Sequence, residues 1–236
     1  MAAPAIQAAT PAYEATRARV EHYFDRTATG AWERLTSDAP VSGIRATVRA
    51  GRDEMRALLL SRLPADLSGA RILDAGCGTG ALAVELARRG AEVVAVDISP
   101  ALIDVARRRC PSGLAPHIDF RAGDMLDPAL GRFDHAVAMD SLIYYAAPDV
   151  AAILGRIAPR LGASMLLTLP PRTPLLMAMW RVGKLLPRAD RAPTMVPHDP
   201  ARLRAAMRAA AVPGTLAEVR RVTSGFYIST AMEYRP

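Results

Sequence analysis

Leu73-Asp74-Ala75-Gly76-Cys77-Gly78-Thr79-Gly80 is the stretch that decides how this chain is read. It follows an apolar strand start, Arg71-Ile72-Leu73, and runs into Ala81-Leu82-Ala83-Val84-Glu85-Leu86-Ala87-Arg88-Arg89-Gly90, whose apolar residues recur with helical spacing. A strand, a glycine loop and a helix in that order form a ligand cradle. Glycines open backbone conformations closed to other residues and let a ligand approach the main chain, and a helix start offers unpaired N–H groups. Spacing then separates the ligands. The dinucleotide fingerprint is G-x-G-x-x-G, whereas these glycines read G-x-G-x-G with an acid, Asp74, two residues before the first. The competing reading is a glycine turn in some other nucleotide-binding sheet.

Downstream of the loop, strands and helices alternate. Glu92 to Ile98 is a Val-rich strand containing Asp97, and Pro100 to Cys110 is helical, with Ser99 as N-cap and Pro100 in the first turn. Ile118 to Arg121 predicts a short strand leading to Gly123-Asp124-Met125, and Phe133 to Asp140 another. A helix from about Asp149 to Leu161 and an apolar strand from Ser164 to Leu169 follow. Near-continuous apolar strands between helices predict an α/β fold with a parallel, doubly wound sheet.

After Pro170-Pro171 the rhythm changes. Residues 172 to 200 are interrupted by prolines and carry the apolar run Leu175-Leu176-Met177-Ala178-Met179-Trp180, followed by Arg181, Lys184 and Arg188. The run is too short to span a bilayer. It reads as buried core, as a substrate lid, or as a surface touching membrane or a partner. A helix from about Pro200 to Ala211, with Asp199 as N-cap, then precedes strands Leu216 to Val222 and Phe226 to Tyr234, joined by a Ser-Gly turn into an antiparallel hairpin.

Upstream, residues 13 to 29 have helical periodicity and contain Tyr23-Phe24-Asp25. A second helix, about Ile44 to Leu63, sets Arg45, Arg49, Arg52 and Arg56 roughly on one face, which is either solvated or functional. Pro64 and Gly69 break the pattern. The predicted organisation is a tail and helical lid over residues 1–66, then an α/β domain over 67–236 with an insert at about 171–200.

The 236 residues suffice for one domain with a sizeable core, and no apolar run has the ~20 residues of a membrane span, so a soluble protein is expected. Met1 to Thr10 lacks the basic segment and apolar core of a signal peptide. Two cysteines, Cys77 and Cys110, offer no disulfide framework and suit a reducing cytoplasm. The formal charge of +7 comes almost wholly from arginine and suggests an acidic partner: nucleic acid, an anionic membrane surface or a small polycarboxylate.

The loop with its leading acid resembles motif I of class I S-adenosylmethionine (SAM) methyltransferases. That resemblance implies a Rossmann-like, seven-stranded sheet closed by an antiparallel hairpin, and the amino group of SAM gives Asp74 a purpose. Ligands of a doubly wound sheet lie beyond the carboxyl ends of its strands, where Asp74, Asp97, Asp124 and Asp140 fall. Asp97, 17 positions after Gly80, suits the ribose hydroxyls, with Ile98 flanking the adenine. Asp124 suits the adenine amino group, with Met125 packing on the base. Together with Gly76, Cys77, Gly78 and Gly80 these make up the expected donor site. The fourth strand exits as Asp140-Ser141-Leu142-Ile143-Tyr144-Tyr145. It carries neither the Asn/Asp-Pro-Pro-aromatic motif nor the Pro-Cys of base methylation, which argues against a nucleic-acid substrate.

Tyr23-Phe24-Asp25, Trp32-Glu33-Arg34-Leu35, Arg49-Ala50-Gly51-Arg52, the fourth-strand exit, Arg172-Thr173-Pro174-Leu175 and Gly225-Phe226-Tyr227-Ile228-Ser229 together resemble the magnesium-protoporphyrin IX O-methyltransferases, especially their bacteriochlorophyll-pathway form. The resemblance covers nearly the whole chain. It implies methyl transfer from SAM to one propionate of a magnesium porphyrin, leaving S-adenosyl-L-homocysteine. It also implies association with the porphyrin-binding subunit of magnesium chelatase. The expected location is the cytoplasm, on cysteine usage, with peripheral contact at the intracytoplasmic membrane as the alternative that the apolar run and the basic charge leave open. Tyr23 matches the family's catalytic tyrosine, against a core-packing alternative. Tyr144 stands where chlorophyll-pathway relatives have a histidine; its hydroxyl can orient a carboxylate but cannot act as a base near neutral pH. Arg49 and Arg52 are expected to hold carboxylates of donor or acceptor, and Met179 and Trp180 to wall the macrocycle. His22, His117, His135 and His198 lack metal-ligand spacing, so magnesium is expected to arrive inside the substrate and no protein-bound metal is expected. Two other functions fit the same motif: methylation of another small acceptor such as a quinone phenol, and a SAM-binding scaffold without catalysis.

Overall fold

The computed structural model describes residues 10–25, 29–36, 43–173, 177 and 193–236. Strands β1 (Arg71–Ala75), β2 (Glu92–Asp97), β3 (Ile118–Ala122), β4 (Phe133–Ala138), β5 (Leu161–Leu169), β6 (Thr215–Ser224) and β7 (Tyr227–Arg235) form one sheet in the order β3-β2-β1-β4-β5-β7-β6. The first five are parallel, and β7 runs antiparallel to both β5 and β6. From β1 the chain builds outward to β2 and β3, then returns to β4 on the other side. The reversal opens a crevice at the carboxyl ends of β1 and β4, where doubly wound sheets bind ligands.

The continuous apolar strands reflect burial on both faces. Neighbouring residues on a strand point to opposite faces, so Ile72 and Val93 enter one core while Leu73 and Val94 enter the other. The first core includes Met55, Leu59, Leu82 and Leu86, from α3 (Gly43–Ser61) and α4 (Ala81–Arg88). The second includes Val150, Leu154, Leu203 and Met207, from α6 (Ala147–Ile157) and α7 (Pro200–Ala209). Each fully buried Leu or Ile contributes about 1.5–3 kcal/mol. α5 (Pro100–Arg109) begins as predicted: the Ser99 hydroxyl accepts from the Leu102 N–H at 3.2 Å, and Pro100 occupies the first turn.

Some boundaries differ from expectation. The first helix, α1, spans Pro11–Tyr23 with Thr10 as N-cap, and a separate helix α2 covers Thr29–Leu35. β5 begins at Leu161 rather than Ser164, because Leu161 pairs with Phe133 before a register shift to His135 and Ser164. The helix before it accordingly ends at Ile157 and passes through a 3-10 turn, Ala158–Arg160.

The ends of the expected insert are tied together. His198 donates to Pro170 O and accepts from Arg172 N, both at 2.8 Å, and Val196 N reaches Ile143 O at 2.8 Å. Most of the apolar run, including Met179 and Trp180, lies outside the described residues. Among the described residues no helix is long and apolar enough to cross a membrane.

Candidate active site

The glycine loop folds back over the end of β2. Gly76 and Cys77 donate to Val96 O at 2.7 and 3.0 Å, and Gly78 N donates to Asp97 Oδ2 at 2.8 Å. Gly76 has φ 80° and abuts the residue after Asp140: a Cβ there would lie 2.3 Å from Ser141 Cβ. Gly80, at φ 82°, caps α4 and packs so closely on Ala106 and Phe120 that a Cβ would sit 3.0 Å from each. The loop thus floors a cavity of about 460 Å³, roofed by the N-terminal helices. That volume is of small-molecule size.

Asp74 and Asp97 both line this cavity and are nearly enclosed, at 1% and 8% exposure. Burial, with the neighbouring charge of Asp97 second, pushes the Asp74 carboxyl up to about 7. Its Oδ2 has no hydrogen-bond partner among the described residues. A buried carboxylate oxygen with nothing to accept is costly, and a cationic amine in the cavity would satisfy it. Burial likewise lifts Asp97 to about 6, against the N–H groups of Ser99 and Gly78, which hold it down. Each of its oxygens already takes one of those donors, at 2.9 and 2.8 Å, and each keeps a second acceptor position. Ile98 borders the same space.

Asp124 is differently placed. Its carboxylate accepts from Tyr13 Oη at 2.8 Å, Arg17 Nη1 at 2.9 Å and Leu126 N at 2.8 Å. Gly123 and Met125 form the cavity wall at this point, while Asp124 fastens α1 down beside them. The Tyr13 ring also stacks on Tyr145, with centroids 5.1 Å apart.

Of the four arginines on α3, Arg45 is exposed, while Arg49, Arg52 and Arg56 reach the cavity. Arg49 Nε donates to Leu35 O at 3.0 Å, joining α3 to α2. Arg52 pairs with Asp140, and its guanidinium lies 4.6 Å from the Trp32 ring centroid. Asp140 has φ 57° and also accepts from Thr168 Oγ1 at 3.0 Å and Tyr227 Oη at 3.1 Å. Tyr144 lines the cavity, and burial, with Asp140 next in effect, pushes its hydroxyl well above the ordinary tyrosine range. Tyr23 packs in an aromatic cluster with Phe24, Trp32 and Tyr144. Phe24, its neighbour in sequence, forms the wall itself.

Phe24, Asp25, Trp32 and Tyr227 lie in stretches that carry the family resemblance, but the sequence gives none of them a role of its own, and Tyr13 lies in no such stretch. Their contacts are tertiary: Tyr13 with Asp124, Phe24 with Tyr144, Asp25 with Ser99 Oγ, Trp32 with Arg52 and Tyr227 with Asp140. Among the described residues no group of three His, Cys, Asp or Glu side chains could hold a metal.

The family model for the magnesium-protoporphyrin IX methyltransferase C-terminus matches residues 138–236, and a general methyltransferase-domain model matches residues 72–162. The magnesium-protoporphyrin O-methyltransferase of Rhodobacter capsulatus is 56% identical over 95% of this chain and 98% of its own length. A ubiquinone biosynthesis O-methyltransferase of Xanthomonas oryzae pv. oryzae is 39% identical, but over only 52% of this chain and 54% of its own length. The crystal structure of magnesium protoporphyrin IX methyltransferase from Synechocystis with bound SAH superposes with a TM-score of 0.77 at 26% identity, covering 92% of this chain and 98% of that one. With this fold, this cavity and identity sustained from end to end, the chain belongs to the magnesium-protoporphyrin O-methyltransferase family.

Proposed function

We propose that the protein transfers a methyl group from SAM to a propionate carboxylate of magnesium protoporphyrin IX, giving the monomethyl ester. The observation that carries the donor half is Asp74, which lines the cavity behind the glycine loop and whose buried Oδ2 has no hydrogen-bond partner among the described residues. It suits the amino group of SAM; Asp97 suits the ribose hydroxyls, Ile98 and Met125 the adenine, and Gly76, Cys77, Gly78 and Gly80 the close backbone approach. The acceptor half rests on the family.

When bound, SAM supplies a sulfonium methyl, which a carboxylate oxygen takes as the carbon–sulfur bond breaks and a neutral thioether leaves. A propionate is ionised near neutral pH, so no residue has to act as its base. The work left to the protein is placement and exclusion of water, and orientation alone supplies up to about 7–11 kcal/mol. Tyr144 presents a protonated hydroxyl to the cavity and is assigned to orient the carboxylate. Tyr23 supports it from the aromatic cluster, Arg49 and Arg52 hold carboxylates of donor or acceptor, and Met179 and Trp180 wall the macrocycle. The proposal also includes the lid role of residues 1–66, handover from the porphyrin-binding subunit of magnesium chelatase, and a cytoplasmic location with peripheral membrane contact.

Labelled SAM incubated with magnesium protoporphyrin, metal-free protoporphyrin and a catechol tests the reading. Label is expected in a base-labile ester of the magnesium porphyrin. Transfer to the catechol alone would instead establish a phenol methyltransferase, and SAM binding without transfer to any acceptor would establish a scaffold.

A further inference from the structure

Arg52 is held from behind. Its Asp140 partner follows β4 in a left-handed conformation, and the oxygen not paired with Arg52 is gripped by Thr168 of β5 and Tyr227 of β7, at 3.0 and 3.1 Å. The Asp140 N–H also donates to Thr168 Oγ1 at 2.7 Å. The helix bearing Arg52 is seated on the same tyrosine, since a Cβ on Gly51 would lie 2.7 Å from Tyr227 Cδ1. Gly51 has ordinary helical backbone, so glycine there serves close approach. Tyr227 is 9% exposed and stands behind the cavity wall, while Arg52 and Asp140 belong to the wall.

We infer that Tyr227 of the C-terminal hairpin is a positioning residue that aims Arg52, through Asp140 and Gly51, at the carboxylate of the methyl donor's amino-acid end. This deepens the SAM reading above and rests on it. The direction follows from the site. Ser141, the residue after Asp140, abuts Gly76, two residues beyond Asp74. The amine assigned to Asp74 and the carboxylate of an amino acid share one carbon, so the carboxylate falls on the Asp140 side of the loop. Trp32 covers a flat face of the guanidinium and Asp140 takes one N–H, which leaves in-plane donors for a second carboxylate.

The experiment compares binding of SAM with binding of decarboxylated SAM, which lacks only that carboxylate, in the wild type, Arg52→Gln and Tyr227→Phe, with thermal unfolding in parallel. The wild type is expected to prefer SAM by about tenfold or more, the scale of a charged hydrogen-bonded pair. Arg52→Gln removes the preference. Tyr227→Phe cuts it several-fold while binding of decarboxylated SAM stays unchanged, a pattern that general loosening cannot produce. Should Tyr227→Phe unfold, Thr168→Val reads the same relay through its other bond. Equal weakening of both ligands, or an unaltered preference, overturns the inference. A wild type that binds both equally removes Arg52 from the donor carboxylate, and one that binds neither removes the SAM reading itself.

Discussion

The phenol of Tyr13 donates a 2.8 Å hydrogen bond to Asp124, a partner 111 residues away in sequence. Arg17, one turn further along α1, reaches the other oxygen of the same carboxylate. The N-terminal helix is therefore fastened to the loop after β3, over the donor cavity. Tyr13→Phe keeps the ring that stacks on Tyr145 and removes only the O–H. Because the acceptor is a charged carboxylate, the expected cost is about 1–3 kcal/mol. Urea unfolding measures the loss, and faster amide exchange confined to residues 11–23 locates it.

Asp74 gives the ligand-free protein a distinctive response to pH. Its carboxyl titrates near 3.8 in the unfolded chain and about 7 in the folded one, because burial and Asp97 disfavour the charge. Through that window the folded protein holds a proton the unfolded chain has lost, so stability falls as pH rises from about 4 to 7. Asp97 adds the same trend up to about 6. Donor binding has the opposite dependence, since an ammonium requires the carboxylate. SAM affinity is expected to weaken about tenfold per unit of acidification below the Asp74 pKa, with release of a proton on binding. Calorimetry in buffers of different ionisation enthalpy counts that proton. Asp74→Asn should abolish both the release and the tight binding, while raising apo stability at neutral pH.

The three loop glycines should not tolerate alanine equally. Gly76 combines φ 80° with a 2.3 Å clash against Ser141. Backbone strain of about 1–2 kcal/mol and overpacking of about 1–3 kcal/mol together predict a loss of about 3 kcal/mol. At Gly78, φ is 55° and, among the described residues, the one atom a Cβ would meet is Trp32 Nε1 at 3.3 Å. Left-handed backbone alone costs about 1 kcal/mol there. Melting temperatures of Gly76→Ala, Gly80→Ala and Gly78→Ala are expected to rise in that order, and a reversed order would mean that the loop relaxes in ways its packing does not suggest.

The same contrast between local and distant determinants explains what could be read without coordinates. β1 and β2 are buried on both faces, so Ile72-Leu73 and Val93-Val94 announce themselves as continuous apolar runs, and the Ser99-Pro100 cap is a purely local signal. Thr29–Leu35 spans too few residues to display helical periodicity, and the start of β5 at Leu161 is set by its pairing partner Phe133. The acids at the strand ends were visible, but which of them face the cavity was not. Asp124 differs from Asp74 only because Tyr13 and Arg17 come back over it, and Asp140 is engaged by residues from α3, β5 and β7 at once.

Tyr144 provides the sharpest test of how the acceptor is handled. The residue lines the cavity, and the pKa of its hydroxyl is pushed upward by burial first and by Asp140 second. It therefore stays protonated throughout the usual assay range and can donate a hydrogen bond but not remove a proton. At saturating donor, kcat is expected to show no ionisation belonging to this residue between about pH 6 and 9. Tyr144→Phe should lower kcat about tenfold, the worth of one hydrogen bond to a charged oxygen, and leave the SAM KM unchanged. Tyr144→His should restore a donor while adding a new limb to the pH profile around the imidazole pKa of about 6.5. A wild-type profile that already carries such a limb at saturating donor would transfer the acceptor-side role from Tyr144 to another titrating group.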